Sequence, residues 1–254
     1  MKRLLFLTAA LTLFISCNST ENIKTTYCNP LDIDYTYMIY NSDRNLSYRS
    51  GADPAVVEFR GEYYMFVTRS LGYWHSTDLV NWNFIEPKST WYPQGCNAPA
   101  AHNYKDSLLY VTGDPSGSMS IMYSDNPKAG LWKAEPAILH DLQDPDLFID
   151  DDGQAYLYWG AGLNLVNGKC FMVSLADNMV DFLEGPADVT PPNYFEGPVM
   201  KKKDGVYYLM YSNGKAIDHT YNVRYATGKS PWGPFEEGVN SPILKTSADS
   251  TTYG

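Results

Sequence analysis

The chain has 254 residues, of which 44% are hydrophobic and 19% charged. It is therefore too apolar for general disorder and long enough for one large domain or two small ones. Its 19 basic and 29 acidic residues give a formal net charge of -10, which argues against electrostatic capture of nucleic acid or of an anionic membrane surface. The negative charge thus favours a neutral ligand. Aromatic residues make up 15% of the chain, with 21 Tyr and 6 Trp, and this composition favours an all-β fold.

The N-terminus has the pattern of an export signal. Lys2 and Arg3 precede an apolar run of 12 residues, from Leu4 to Ile15, which is shorter than the roughly 20 residues that a membrane-spanning helix needs. Ser16 and Cys17 follow, and the four residues that end at Cys17 resemble a bacterial lipobox, with Phe where Leu is usual.

We therefore expect a lipoprotein signal at residues 1–16, lipidation of Cys17, and a polar tether at residues 17–28. An ordinary signal peptide cut nearby is the alternative. The expected location is the bacterial outer membrane, facing the periplasm or the exterior, with the lipid as the membrane contact.

Three further cysteines, Cys28, Cys96 and Cys170, follow Cys17. They form no Cys-x-x-Cys or Cys/His pattern, so a zinc site is not expected, and three thiols allow at most one disulfide within the chain. The sequence leaves their pairing open.

A repeat organises the rest of the chain. Four segments share one plan, in which a proline is followed by an apolar strand, a polar turn and a Tyr-rich strand. Their prolines, 45, 46 and 53 residues apart, are Pro54, Pro99, Pro145 and Pro198. Each unit has room for about four short strands, and four-stranded sheets repeated around an axis form a β-propeller.

The number of blades is less clear from the repeat. A fifth unit would begin near residues 243–251, and the sequence ends at Gly254. The chain is therefore either a four-bladed propeller or a five-bladed one whose fifth blade is incomplete. Residues 234–236 and 241–244 look like the approach to a further blade, so we predict an all-β, five-bladed β-propeller with an incomplete fifth blade over residues 29–254.

Three acids stand next to the repeated prolines. Asp53 and Asp144 directly precede a proline, and Glu196 precedes one by two residues. The first strands of propeller blades line the central channel, so residues before those strands should converge at one end of it. An alternative explanation is that Asp-Pro simply opens a strand after a turn, but this explains three such acids less well than it explains one.

Carboxylates brought together in this way suit the hydrolysis of a glycosidic bond. One protonated carboxyl protonates the leaving oxygen, and one ionised carboxylate activates water or attacks the sugar. A third acid nearby would raise the proton affinity of the acid, because like charges resist joint ionisation. This reasoning favours Glu196 as the acid, with Asp144 as its neighbour.

Three blocks of sequence together resemble the catalytic motifs of glycoside hydrolase family 43. They are Ala52-Asp53-Pro54, the stretch from Gln143 to Gly153, and the stretch from Glu196 to Tyr208. The resemblance implies a five-bladed propeller that hydrolyses with inversion. It also implies that Asp53 is the general base, that Glu196 is the general acid, and that Asp144 tunes the pKa of the acid and orients it.

The chain departs from the family pattern in two places. The second blade opens with Asn97-Ala98-Pro99-Ala100, where the family usually has Trp-Ala-Pro-Asp. The family's fifth blade carries a His that helps to hold a metal or water in the channel, and the sequence ends before that motif. We expect no required cofactor and no metal among the site residues, although the resemblance leaves room for a channel metal such as calcium.

Four further residues are candidates for contacts with the sugar. Tyr73 and Trp74 follow the second strand of the first unit and could offer aromatic faces, with core packing as the alternative. Asn97 and His102 belong to the opening of the second blade; for His102, a packing role is equally compatible with the sequence.

The resulting hypothesis is an exported, lipid-anchored glycosidase that acts on chain ends with inversion. By the family resemblance it cleaves arabinofuranosyl or xylosyl linkages of plant polysaccharides, with an oligosaccharide or polysaccharide as its partner. We expect the protein to be a monomer. One alternative is a non-catalytic glycan-binding propeller. Another is a related fructan hydrolase, whose Asn-Asp-Pro motif is absent because Ala52 precedes Asp53.

Overall fold

The computed structural model describes Ile33, residues 40–41 and 46–47, and, from residue 52 onward, 52–92, 95–114, 118–136, 139–140, 142–161, 168–215, 218–247 and 249. The predicted signal at residues 1–16, Cys17, the tether at residues 17–28 and Cys28 lie outside these described residues. Within the described part, secondary structure is almost entirely β, with one turn of 3-10 helix at Pro127–Ala129. No helix there is long and apolar enough to cross a membrane.

The described strands form a short hairpin, a further two-stranded sheet and four larger antiparallel sheets, which we call blades 1 to 4. The hairpin pairs β1 (Tyr40–Asn41) with β2 (Leu46–Ser47). Blade 1 consists, in order, of β3 (Ala55–Phe59), β4 (Glu62–Phe66), β5 (Tyr73–Ser76) and β6 (Asn83–Ile85).

Blades 2 and 3 repeat this up-and-down order. Blade 2 consists of β7 (Asn97–Tyr104), β8 (Leu108–Asp114), β10 (Met122–Asn126) and β11 (Leu131–Ala134), beside a two-stranded sheet of β9 (Ser118–Met119) and β12 (Leu139–His140). Blade 3 consists of β13 (Gln143–Ile149), β14 (Ala155–Ala161), β15 (Lys169–Leu175) and β16 (Phe182–Asp188).

Blade 4 consists of β17 (Glu196–Lys203), β18 (Val206–Asn213), β19 (Asn222–Gly228) and β20 (Glu236–Glu237), with β21 (Leu244–Lys245) also paired to β19. The segments near residues 234–236 and 241–244, read from the sequence as the approach to a further blade, thus supply outer strands of blade 4. Both segments find their hydrogen-bonding partners on β19. The described residues contain four blades of a β-propeller, and a fifth blade stays a prediction.

Apolar side chains between neighbouring blades form the core. One cluster joins blades 1 and 2, a second joins blades 2 and 3, and a third joins blades 3 and 4. Leu157 and Met172 are completely buried in two of these clusters, and full burial of such a side chain stabilises the fold by about 1.5–3 kcal/mol. The alternating pattern of each strand explains this arrangement, because successive side chains point to opposite faces of a blade and therefore toward different neighbours.

Polar contacts also tie adjacent blades together at the hairpin turns. Arg60, in the β3–β4 turn, donates from Nε to the Asp106 carbonyl at 2.7 Å and from Nη1 to the Asp125 carbonyl at 2.8 Å, both in blade 2. Lys202 of blade 4 lies 2.5 Å from Asp150 Oδ1 of blade 3. This ion pair joins the turn that follows β13 of blade 3 to β17 of blade 4.

The first strands of consecutive blades lie side by side around the axis. β7 contacts both β3 and β13, and β13 contacts β17. The same end of every first strand carries the repeated proline, so the residues before Pro54, Pro99, Pro145 and Pro198 meet at one end of the propeller.

Candidate active site

The residue directly before each repeated proline has a left-handed backbone. The φ values are 51° at Asp53, 40° at Ala98, 50° at Asp144 and 67° at Gly197. Positive φ is uncommon for residues other than glycine, although Asp adopts it more readily than most. The four blades therefore open with the same backbone conformation, whatever side chain stands there.

In blades 2, 3 and 4 this conformation belongs to a β-bulge at the start of the first strand. In blade 3, Gln143 pairs with Gly160 and Asp146 with Tyr158, so that two residues oppose one; blade 4 repeats this with Glu196 opposite Ser212 and Val199 opposite Met210. A bulge bends its strand and redirects nearby side chains.

The structure corrects the repeat position of one acid. The sequence places Glu196 beside a repeated proline like Asp53 and Asp144, although Glu196 precedes Pro198 by two residues rather than one. In the structure, Gly197 itself is the left-handed residue that corresponds to Asp144, and Glu196 corresponds to Gln143. The site therefore takes acids from two adjacent positions of the repeat.

The three predicted acids line one cavity of about 640 Å³. Residues of the first strands of all four blades form most of its wall, and Ser212 and Tyr221 of blade 4 complete it. Asp53 is exposed, whereas Asp144 and Glu196 are half-buried. Carboxyl groups from blades 1, 3 and 4 thus face a common space of the size that holds a small ligand.

Asp53 is held by a side chain of its own blade. Thr68, which follows β4, donates from Oγ1 to Asp53 Oδ2 at 2.6 Å, and the same hydroxyl accepts the Ala98 N–H at 2.9 Å. The hydroxyl of Thr68 therefore holds one carboxyl oxygen of Asp53 at the edge of the cavity.

Glu196 has a different environment. The Tyr221 hydroxyl donates to Oε1 at 2.8 Å, and the Gln143 side-chain amide donates to Oε2 at 3.2 Å. Burial raises the pKa of the Glu196 carboxyl, the Tyr221 hydrogen bond opposes this rise, and the negative charge of Asp53 adds to it. The net result is a pKa above the ordinary value, which favours the protonated form needed by a general acid.

Asp144 lies beside the acid through the backbone. Its Oδ2 accepts the N–H of Gly197, the residue after Glu196, at 3.1 Å. The sequence reasoning attributes the raised pKa of Glu196 to Asp144, whereas the structure attributes it to burial first and to Asp53 among the acids. The contact that Asp144 makes is suited to orienting the chain that carries Glu196.

A fourth acid, Asp146, also reaches the cavity. Its side chain is 5% exposed, and its Oδ2 accepts the Met200 N–H of blade 4 at 2.8 Å. Burial raises the pKa of the Asp146 carboxyl, although the positive charge of Lys201 and the Met200 hydrogen bond oppose the rise. Asp146 therefore joins two first strands at the wall of the cavity.

The predicted aromatic platforms are wrong. Tyr73 and Trp74 are 0% and 1% exposed; Tyr73 packs between blades 1 and 2, and Trp74 packs against Met65 and Phe84 on the other face of blade 1. Both residues lie on β5, an inner strand whose two faces are covered. Neither ring has a face available to a sugar.

Asn97 and His102 lie on β7 but not among the residues that line the cavity. Asn97 Oδ1 accepts a hydrogen bond from Arg69 Nε at 2.8 Å. Burial and the charge of Lys201 lower the pKa of His102 to about 4, so the imidazole is neutral at pH 7. The predicted contacts of Asn97 and His102 with a sugar are not supported by their positions, because neither residue lines the cavity.

Thr68, Gln143 and Tyr221 were not identified from the sequence. Thr68 and Tyr221 lie in connections between strands, where no repeat pattern marks them. Gln143 occupies the same position of the repeat as Glu196. The sequence reveals this equivalence only when Gly197 is aligned with Asp144, and that alignment requires the structure.

A second cavity of about 310 Å³ lies at the outer strands of blade 2. Asp125 is the one carboxylate among its lining residues, so this cavity lacks the pair of acids that glycoside hydrolysis uses. The acid-lined cavity is therefore the candidate active site.

The channel metal that the resemblance allows finds no matching ligand set in this part of the molecule. Across the described ranges, no three His, Cys, Asp or Glu side chains converge in a way that would hold a metal ion.

Two of the cysteines, Cys96 and Cys170, belong to the described residues, and both are buried, at blades 2 and 3 respectively.

A propeller whose blades bring three acids to one cavity is the architecture of a family of glycoside hydrolases. Residues 46–254 match the model of glycosyl hydrolases family 43. The chain belongs to this family.

Individual relatives are distant. A β-D-galactofuranosidase of Aspergillus niger is 27% identical over 80% of the chain, and a non-reducing end α-L-arabinofuranosidase of Bacteroides ovatus is 28% identical over 76%. The chain spans 68% of the first protein and 39% of the second. Among solved structures, a thermostable family-43 glycoside hydrolase matches with a TM-score of 0.65 and 23% identity, over 80% of this chain and 76% of that one, which supports the fold.

Proposed function

We propose that the chain is a glycoside hydrolase that acts on chain ends and inverts the configuration at the anomeric carbon. The observation that carries the proposal is the difference between two acids on one cavity. Asp53 accepts a short hydrogen bond from Thr68, whereas the pKa of Glu196 is raised by burial. A carboxyl group with a raised pKa suits a general acid, and a second carboxylate that faces the same cavity can serve as the general base.

The proposed reaction is a single displacement. Asp53 removes a proton from a water molecule as the water oxygen attacks the anomeric carbon. Glu196 transfers its proton to the glycosidic oxygen as the bond between that oxygen and the anomeric carbon breaks. The products are a sugar of inverted configuration and a free hydroxyl on the leaving group, and transfer of the extra proton from Asp53 to Glu196 through solvent restores the starting state.

Asp144 is proposed as the residue that orients the acid. Its hydrogen bond to the Gly197 N–H holds the backbone next to Glu196, and the left-handed glycine there is itself part of the bulge. Tyr221 and Gln143 restrict the carboxyl group of Glu196 from the side-chain end.

The proposed substrates are arabinofuranosyl or xylosyl linkages of plant polysaccharides. Family membership supports this range, and one relative is named an α-L-arabinofuranosidase. Another is named a β-D-galactofuranosidase, so a galactofuranoside belongs in the comparison. The cavity and its acids do not distinguish between these sugars.

The test compares the purified chain with two variants, Asp53→Asn and Glu196→Gln, on aryl α-L-arabinofuranoside, β-D-xyloside and β-D-galactofuranoside. Each variant should lose about 10²- to 10⁴-fold in kcat/KM. Glu196→Gln should lose less with a more acidic aryl leaving group, because that group needs less protonation. The first-formed product, followed by NMR, should have the inverted anomeric configuration.

Asp125→Asn is the matched control, because Asp125 lines the other cavity, and its activity should equal that of the wild type. A folded wild-type chain that binds sugar without turnover would favour the glycan-binding alternative, which the paired acids do not favour. A retained configuration in the product would contradict the single displacement.

We further propose that the protein is exported and anchored through a lipid on Cys17, and that it acts as a monomer. The N-terminal pattern of charged, apolar and small residues that ends at Cys17 supports export and the lipid anchor.

A further inference from the structure

Thr68 stands between the proposed base and the next blade. It follows β4 of blade 1, where its N–H donates to the Ala52 carbonyl at 3.0 Å. Its side-chain oxygen lies 2.6 Å from Asp53 Oδ2 and 2.9 Å from the backbone nitrogen of Ala98 in blade 2. The hydroxyl therefore connects Asp53 and Ala98, the left-handed residues that open blades 1 and 2.

The chemistry of the partners sets the direction of both hydrogen bonds. A backbone N–H can only donate, so the Thr68 oxygen accepts from Ala98. The hydroxyl has one proton, which is left to point at Asp53 Oδ2. The Thr68 hydroxyl thus takes up one acceptor site of Oδ2, and the carboxylate keeps further acceptor sites for a proton from water.

Blade 3 shows the same connection without the side chain. There the N–H of Gly197, the left-handed residue of the next blade, donates directly to Asp144 Oδ2 at 3.1 Å. The residue of blade 3 that corresponds to Thr68 is Gly160, which pairs with Gln143 as Thr68 pairs with Ala52. In both cases the backbone N–H of a left-handed residue points toward the acid of the preceding blade. The Gly197 N–H reaches Asp144 directly, whereas the Thr68 hydroxyl lies between the Ala98 N–H and Asp53.

We propose that Thr68 is the positioning residue of the general base, setting the rotation of the Asp53 carboxylate through this fixed hydrogen bond. The inference rests on the proposed function. Asp53 is exposed and has a left-handed backbone, so packing alone does not fix its carboxylate. Thr suits the role because a β-branched side chain has a restricted χ1 angle.

The experiment uses Thr68→Val, which keeps the shape and removes the hydroxyl, and Thr68→Ser, which keeps the hydroxyl. Thr68→Val should lower kcat by about tenfold, the equivalent of one charge-assisted hydrogen bond, with KM changed by less than about twofold because Thr68 does not line the cavity. Thr68→Ser should retain most of kcat. Should Thr68→Val fail to fold, Thr68→Ala against Thr68→Ser makes the same comparison.

A double-mutant cycle distinguishes positioning from general damage. On an Asp53→Asn background, Thr68→Val should cause no further loss, measured with an activated aryl glycoside, because the group on which Thr68 acts is already removed. A purely structural role would lower the rate by the same factor on both backgrounds.

Thr190→Val is a matched control. Thr190 Oγ1 accepts the Cys170 N–H at 3.0 Å and also hydrogen-bonds Asp188 Oδ1, the same arrangement at a place outside the cavity. Its activity should equal that of the wild type.

Several results would overturn the inference. They are a Thr68→Val variant as active as the wild type, a Thr68→Ser variant as impaired as Thr68→Val, or an equal loss in Thr190→Val. No turnover by the folded wild-type chain would instead overturn the proposed function, and the positioning role would fall with it.

Discussion

Glu196 shows how single neighbours set the chemistry of a side chain. Burial and the negative charge of Asp53 both favour its protonated form, while the hydroxyl of Tyr221 favours the ionised form. The balance lies on the side of a raised pKa. Tyr221 thus limits how far the proton affinity of the acid rises, and it also fixes one carboxyl oxygen at 2.8 Å.

Replacing Tyr221 by Phe tests this balance. The Tyr221 hydrogen bond lowers the pKa of Glu196, so its loss should raise that pKa further. A general acid is active while protonated, so activity falls as the pH rises through its pKa, and the alkaline limb of the kcat/KM profile should move to higher pH. The rate at the optimum should change by less than about tenfold.

Tyr208→Phe is the control for this change, because Tyr208 stacks on Tyr225 in blade 4 away from the cavity. Its pH profile should coincide with that of the wild type. An alkaline limb that stays in place in Tyr221→Phe, or moves to lower pH, would contradict the assignment of Glu196 as the acid.

The three acids were predictable from the sequence because each stands beside a repeated proline, whereas their partners were not. Thr68 and Tyr221 are brought to Asp53 and Glu196 by the way strand connections fold back, and no local pattern encodes that. The error at Tyr73 and Trp74 has a related cause. An aromatic residue on an inner strand and one on a cavity wall look alike in sequence, and only the neighbouring blade decides which is covered.

At the scale of elements, the first strands carry both the site and the junctions between blades. β13 supplies Asp144, which contacts the Gly197 N–H, and Asp146, which contacts the Met200 N–H; both donors belong to β17. One strand of blade 3 therefore holds the strand that carries Glu196 at two points. The buried member of this pair, Asp146, should also affect stability.

The stability effect of Asp146 should depend on pH. Burial raises the pKa of Asp146 in the folded chain. As the pH rises above the ordinary pKa of an Asp carboxyl, the unfolded state therefore loses a proton that the folded state still keeps. Asp146 therefore costs stability at neutral pH and not in strong acid. Asp146→Asn keeps an oxygen acceptor for the Met200 N–H but has no ionisable group. The free energy of unfolding of Asp146→Asn minus that of the wild type should therefore be greater at pH 7 than at pH 3.

Urea unfolding at both pH values measures this difference. Asp146→Ala is the informative companion, because it leaves the Met200 N–H without its acceptor, at a cost of about 1–3 kcal/mol at either pH. A stability difference between Asp146→Asn and the wild type that is the same at pH 3 and pH 7 would show that Asp146 does not titrate differently on folding.

For the whole molecule, the repeat predicted the sheet architecture and the places where blades begin. It did so because Pro54, Pro99, Pro145 and Pro198 each open an equivalent first strand. The end of the repeat was harder to interpret, since β20 and β21 are only two residues each and take their identity from pairing with β19. Short outer strands have little pattern of their own.

The proposed lipid anchor is a prediction about the whole molecule. In a bacterial host that processes lipoproteins, the chain should partition into a detergent phase and incorporate labelled fatty acid. Cys17→Ala should abolish both, because the thiol that accepts the lipid is gone. Incorporation of label by Cys17→Ala, or a wild-type chain that stays in the aqueous phase, would contradict the anchor.

The left-handed residue before each proline has a consequence for how such a cavity changes over time or by design. Ala98 adopts the same backbone conformation as Asp53 and Asp144 without a charge, so a blade forms whether or not an acid stands there. The identity of these residues is thus uncoupled from strand pairing and from the core. Selection or protein engineering can therefore alter the charge around the cavity one blade at a time, while the sheets that hold it stay as they are.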